Sequence, residues 1–201
     1  MDFTVRLKNE TMAKHKELDT HPFIEKMHNK KNAEIKVDEY NAKINLKYYL
    51  DLHFIILDVI KEKVKEYDGD NLPSFFDEFN DDKDYKTMCT IKMTNLNSVK
   101  NLINNIHPEN IYAYCYSFYL GILFGGQIIK KLINKTKDEL LIKQAKMLFD
   151  FKCNKKELIK DVKRFLVENI ENYDNFIKEV NHIYTLTKYI FDDFNKRGNC
   201  V

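Results

Sequence analysis

The chain has 201 residues, of which 44% are hydrophobic, enough for a sizeable core in one domain or a tight pair of subdomains. Its 33 basic and 31 acidic residues leave a net charge of +2, so no global basic field points to nucleic acid, and 5 glycines and 3 prolines are too few for a turn-rich β protein. The four cysteines (Cys89, Cys115, Cys153, Cys200) form no CxxC pair, which removes the usual zinc and redox signals and suits a reducing compartment.

Helices are expected throughout, starting with one from about Thr4 to Leu18, where Leu7, Thr11, His15 and Leu18 fall on one face. Met1–Lys8 has no apolar run, so no secretory signal is expected there. Asp19–Pro22 breaks or bends this first helix, because the residue before a proline avoids helical dihedrals. Asp38 is the expected N-cap of a long second helix ending near Tyr67, with an inner stripe of Ile44, Leu46, Tyr49, Leu50, Leu52, Ile55, Ile56, Val59, Ile60 and Val64. Asp68-Gly69-Asp70 ends it. Leu72–Phe76 reads as a connector with at most one helical turn, and the acidic Asp77–Lys86 as solvated. Asn95–Ile106 is the next helix, stopped by His107-Pro108. Helices follow over Glu109–Asn134, Lys137–Phe149, Asn154–Glu168 and Asn172–Lys196, with residues 198–201 as a loose tail.

The helix opened by Glu109 is the most informative. Ile111–Ile129 carries no charge and is long enough to cross a bilayer, but its four tyrosines, Ser117 and Gln127, between charged flanks, favour a buried core helix and no membrane span. Three of the chain's glycines, Gly121, Gly125 and Gly126, sit here. Each costs about 1 kcal/mol relative to alanine within a helix. Two readings account for that cost: a close contact with a neighbouring helix, or a planar ligand lying on bare backbone.

Tyr119-Leu120-Gly121-Ile122-Leu123-Phe124-Gly125-Gly126-Gln127, continued by Ile128-Ile129-Lys130-Lys131, resembles the distal-helix signature of heme oxygenases, Tyr-Leu-Gly-Asp-Leu-Ser-Gly-Gly-Gln. Leu7-Lys8, Thr11 and His15, followed by Asp19 and Phe23, are similar to the family's proximal helix, and Glu179–Phe191 to its last core helix. The resemblance covers nearly the whole chain and implies an all-α, single-domain heme-oxygenase-like helical bundle over residues 1–201. It makes His15 the axial ligand of heme iron, with Asp19 placed to orient it, and puts Gly121, Gly125 and Gly126 on the opposite face with Tyr116, which matches a family tyrosine. It assigns Lys8, Lys160 and Arg164 to the heme propionates, in keeping with an i, i+4 basic pair that suits carboxylates.

Several positions depart from the family. Ile122 stands where a distal aspartate holds a proton-donating water network, Phe118 replaces an arginine, Ile56 a tyrosine and Thr187 an asparagine. Ser117 replaces a threonine, Phe124 a small serine beside the glycines, and Met12 a basic residue. Side chains such as Ile122, Phe118 and Ile56 neither donate nor relay protons, so an apolar distal side is expected. The resemblance is strongest to the diverged branch of the family in the malaria-parasite plastid, or apicoplast, to which abundant lysine and asparagine also conform. That implies a pseudoenzyme in plastid maintenance or gene expression, working with protein or plastid nucleic-acid machinery. A plastid location presupposes that a leader has been removed; otherwise the chain would be cytoplasmic. Two further readings stay open: an active heme oxygenase yielding biliverdin, carbon monoxide and ferrous iron with ferredoxin or a reductase as donor, and a heme carrier or sensor. Thiaminase-like and di-iron relatives of the same helical fold rank lower.

Overall fold

A computed structural model describes residues 3–28, 39–68, 75–76 and 96–198, and every regular element among them is helical. Asp38, Gly69-Asp70, Leu72–Ser74, Asp77–Lys86, Asn95 and residues 199–201 lie outside the described residues.

Helix α1 (Phe3–Asp19) ends where expected, and α2 (Pro22–His28), an element not foreseen, follows after a two-residue bend. Pro22 stands at the first helical position, where a missing N–H costs nothing. The cap is unusual: His21 Nδ1 accepts from Phe23 N at 3.1 Å, while its Nε2 lies 3.1 Å from Asp192 Oδ1, tying the start of α2 to the last helix. Helix α3 (Glu39–Asp68) buries Leu46, Tyr49, Leu50, Leu52, Ile56, Ile60 and Val64 of the expected stripe. Ile44, Ile55 and Val59 are only half-buried, and Phe54 and Leu57 are buried instead, so this helix is apolar around much of its girth.

Phe75 and Phe76 form a single buried 3₁₀ turn whose rings meet Tyr119 and Phe165 edge-on. Helix α4 (Asn97–Asn104) is shorter than expected, since Leu96 is extended and the chain turns at Asn105. Pro108–Asn110 make a 3₁₀ turn that leads into α5 (Ile111–Cys115). The chain then passes through a π-helical turn (Tyr116–Leu120) and continues as α6 (Gly121–Lys135). No helix among the described residues is long and apolar enough to cross a membrane.

Lys137 takes a left-handed φ of 56° at the turn after α6, and Asp138 caps α7 (Glu139–Phe149) by accepting from Leu141 N at 3.0 Å. Asn154 caps α8 (Lys155–Asn169) in the same way. Asn172 accepts from Asn175 N at the start of α9 (Tyr173–Gly198). Helix α9 is the spine: it packs on α1, α2, α3, α4, α5 and the π-helical turn. Val180, Ile183, Ile190 and Phe194 are fully buried along it, each worth about 1.5–3 kcal/mol of transfer free energy. Helix α6 leans on α7, and α8 closes over the π-helical turn.

Candidate functional site

A cavity of about 890 Å³ opens between α1 on one side and the π-helical turn with α6 on the other, with α3, α8 and α9 completing its walls. That is ample for a small-molecule ligand. His15 of α1 and Gly121 and Gly125 of α6 all line it. The two helices singled out in the sequence thus meet across one slot.

The i, i+4 spacing of His15 and Asp19 brings Nδ1 to 3.0 Å from Asp19 Oδ2. An ionised carboxylate only accepts, so Nδ1–H donates, and in the neutral ring Nε2 is then the nitrogen with the lone pair, the arrangement that presents an imidazole to a metal. The Tyr184 ring meets the His15 ring edge-on at 5.5 Å. Burial pushes the hydroxyls of Tyr184, Tyr49 and Tyr116 upward, so all three remain protonated donors at neutral pH.

The three glycines separate. A Cβ built on Gly121 or Gly125 meets nothing within 4 Å, whereas one on Gly126 would stand 2.5 Å from Phe149 Cδ1. Gly126 therefore serves a contact between α6 and α7, reinforced by Gln127 Nε2 donating to Phe149 O at 3.0 Å. Gly121 and Gly125 bare the backbone to the cavity.

The heme oxygenase family model matches residues 69–191, more than half of the chain. The chain belongs to the heme oxygenase family. The heme oxygenase of Rhodella violacea is 36% identical over 98 residues, and that of Porphyra purpurea 30% over the same length. Each match covers 46% of this chain and 41% of the relative, so it spans less than half of those proteins. The structure of heme oxygenase-1 from the cyanobacterium Synechocystis, in complex with heme, superposes with a TM-score of 0.69 over 98% of this chain and 94% of that one, at 16% identity. That likeness establishes the shared all-α heme oxygenase fold.

Within this family frame the other expected positions divide. Lys8 and Tyr116 line the cavity with His15. Lys160 and Arg164 do not: both are exposed, and Arg164 Nη2 donates to Asp161 Oδ1 at 2.9 Å. The face of α8 turned to the cavity is Lys163, Leu166, Val167 and Ile170, an i, i+3, i+4, i+7 set. Arg164 lies about 100° round from it, and Lys160 one turn beyond its end. Lys163, missed in the sequence, is the lysine that α8 brings to the mouth, with Nζ 5.8 Å from the centre of the Phe124 ring.

Phe118 lines the cavity, but Ile122 and Ile56 are buried in the core and do not. The expected apolar distal side is therefore made by Phe118, Leu120 and Ile129 rather than by Ile122. Phe124 is 55% exposed at the rim and does not plug the slot, while Met12 faces away from it. Ser117 and Thr187 line the wall, and Thr187 Oγ1 donates to Ile183 O at 2.9 Å. His53, which no motif marked, also lines the cavity.

Heme fits this donor set. A cavity of this size has a carboxylate-supported imidazole on one side, two uncrowded glycines on the other, and Lys8 and Lys163 at its border.

Proposed function

We propose that the chain is a diverged heme-oxygenase-like protein that holds heme between α1 and α6 and whose heme-degrading activity is impaired or lost. His15 would take the iron, Asp19 would fix the imidazole's tautomer, and Lys8 with Lys163 would meet the propionates. Bound heme would supply an iron centre able to take up a small molecule; everything else falls to the chain. The observation that carries the reading is the acid inventory of the cavity. Among the described residues lining it, the one carboxylate is Asp19, already engaged by His15, and the family's distal aspartate position is Ile122, buried away from the slot. A positioned general acid supplies about 10²–10⁴-fold in rate, and nothing on the glycine side supplies a carboxylate.

Such a protein would act through what it binds, and we place it as a non-catalytic module in plastid maintenance or gene expression, on the strength of its branch resemblance. The competing reading, an active enzyme fed by ferredoxin or a reductase, is favoured by Tyr116 and Ser117, two hydroxyl-bearing residues among those that line the cavity. Incubating the protein with hemin and a reducing system separates the two. A persistent Soret band without bilin is expected. Steady bilin formation within about tenfold of an active family member's rate would contradict the proposal.

A further inference from the structure

The outer rim of the cavity is a surface in its own right. Among the described residues nine large hydrophobic side chains stand exposed, and four of them ring this one opening: Val5 of α1 at 47%, Phe124 and Ile128 of α6 at 55% and 53%, and Val167 of α8 at 49%. Three helices thus bring apolar tips to one patch, whereas exposed apolar side chains are ordinarily scattered singly. The frame of the patch is cationic. Lys8 stands one turn from Val5, Lys131 one turn from Ile128, and Lys163 one turn from Val167 with Lys160 a turn further on, so each helix continues its apolar tip with lysine on the same face. All four lysines are exposed, and none is in an ion pair among the described residues. Helix α6 holds three lysines and no acidic residue, and of these Lys130 is the one that meets a carboxylate, Asp150. The cavity lining itself holds a single carboxylate, Asp19, already engaged by His15.

Apolar tips inside a ring of unpaired lysines match the interface of an anionic bilayer, where the tips enter the boundary between headgroups and acyl chains and the ammonium groups meet phosphate oxygens. An acidic chain alone would answer the lysines and leave the tips in water, and a neutral apolar surface would strip the lysines of water without compensation. No helix among the described residues is long and apolar enough to span a membrane, so the contact is interfacial. We propose that the rim of the slot is a docking face for an anionic lipid bilayer, with Val5, Phe124, Ile128 and Val167 inserted and Lys8, Lys131, Lys160 and Lys163 on the headgroups. Docked this way, the opening faces the acyl region, and an apolar ligand passes between bilayer and slot without crossing water. The proposal does not depend on which apolar ligand the slot takes.

The chain contains no tryptophan, so Phe124→Trp places a single reporter at the rim, and Tyr189→Trp places one on α9, at a side chain that is 56% exposed and outside the cavity lining. The full chain is mixed with vesicles of phosphatidylcholine alone and with vesicles that also hold about 30% phosphatidylglycerol. Emission of the rim reporter is expected to shift to the blue, and to be quenched by acyl-brominated lipid, with the anionic vesicles only, while the α9 reporter stays unchanged. In sedimentation, Ile128→Ser should weaken vesicle binding about fivefold and Lys131→Ala with Lys160→Ala about twentyfold, and added salt should weaken it further. Sedimentation carries the test if a reporter variant does not fold. Hemin is left out of these mixtures, so their outcome is separate from that of the tetrapyrrole reading. No binding to anionic vesicles, equal binding to neutral ones, equal shifts of both reporters, or binding indifferent to Ile128→Ser would overturn the proposal. So would a rim shift produced by soluble polyglutamate and not by vesicles, which would mark a face for an acidic protein instead.

Discussion

Gly121, Gly125 and Gly126 share one helix, yet alanine at each should act differently. At Gly126 the new methyl would collide with the Phe149 ring at 2.5 Å, and overpacking of about 1–3 kcal/mol outweighs the roughly 1 kcal/mol gained in helix propensity. At Gly121 and Gly125 nothing is struck, so each alanine variant should be up to about 1 kcal/mol more stable. The same methyl would stand between the backbone and a flat ligand, so hemin affinity should fall by about tenfold. Thermal melts and hemin titrations of the three variants check both halves. His53 gives a second residue-level expectation. Its folded pKa of about 4 lies below the ordinary 6.5, so the unfolded chain binds the extra proton first as pH falls. Stability from the neutral buried ring is therefore fully present above pH 6.5 and lost toward pH 4, by about 3 kcal/mol. Denaturant midpoints between pH 7 and pH 4.5 should fall in wild type and fall less in His53→Gln; parallel slopes would contradict the assignment.

At the scale of elements, apolar periodicity and capping chemistry explain what could be read in the sequence. The stripe of α3 and the expected bounds Lys137–Phe149, Asn154–Glu168 and Asn172–Lys196 fall within a few residues of the helices observed. The π-helical turn was not legible, because one extra residue in a turn leaves no mark in a run as uniformly apolar as Ile111–Ile129. Helix α2 was missed because a proline that breaks one helix can equally start another, and its cap is a histidine whose bond to Asp192 comes from the far end of the chain. His15 and the glycines could be singled out because they belong to ordered motifs. His53 could not, since its place in the cavity wall depends on a bond within its own helix and on contact with Phe118. The basic residues of α8 show a similar limit: four lysines and an arginine crowd Lys155–Arg164, and only helix phase against the cavity separates Lys163 from the rest. Replacing Lys8 or Lys163 by alanine should weaken hemin binding about two- to fivefold, as for partly solvated pairs, while Lys160→Ala and Arg164→Ala should leave it within error. Equal effects at all four would mean that charge near the mouth, not contact with it, sets affinity.

For the whole molecule, α9 organises the bundle so that α1 and α6 face each other across a slot. The slot's mouth is apolar: Val5, Phe124, Ile128 and Val167 line it, and each is about half exposed. A fold that leaves four such side chains around an 890 Å³ opening invites a largely apolar ligand to cover them. The central claim is that this slot binds a tetrapyrrole through the imidazole of His15, and hemin titration of wild type beside His15→Ala addresses it most directly. A saturable one-to-one Soret shift in wild type, displaced or abolished in the variant, is the predicted result. No saturable shift, or an identical spectrum without the imidazole, would contradict it.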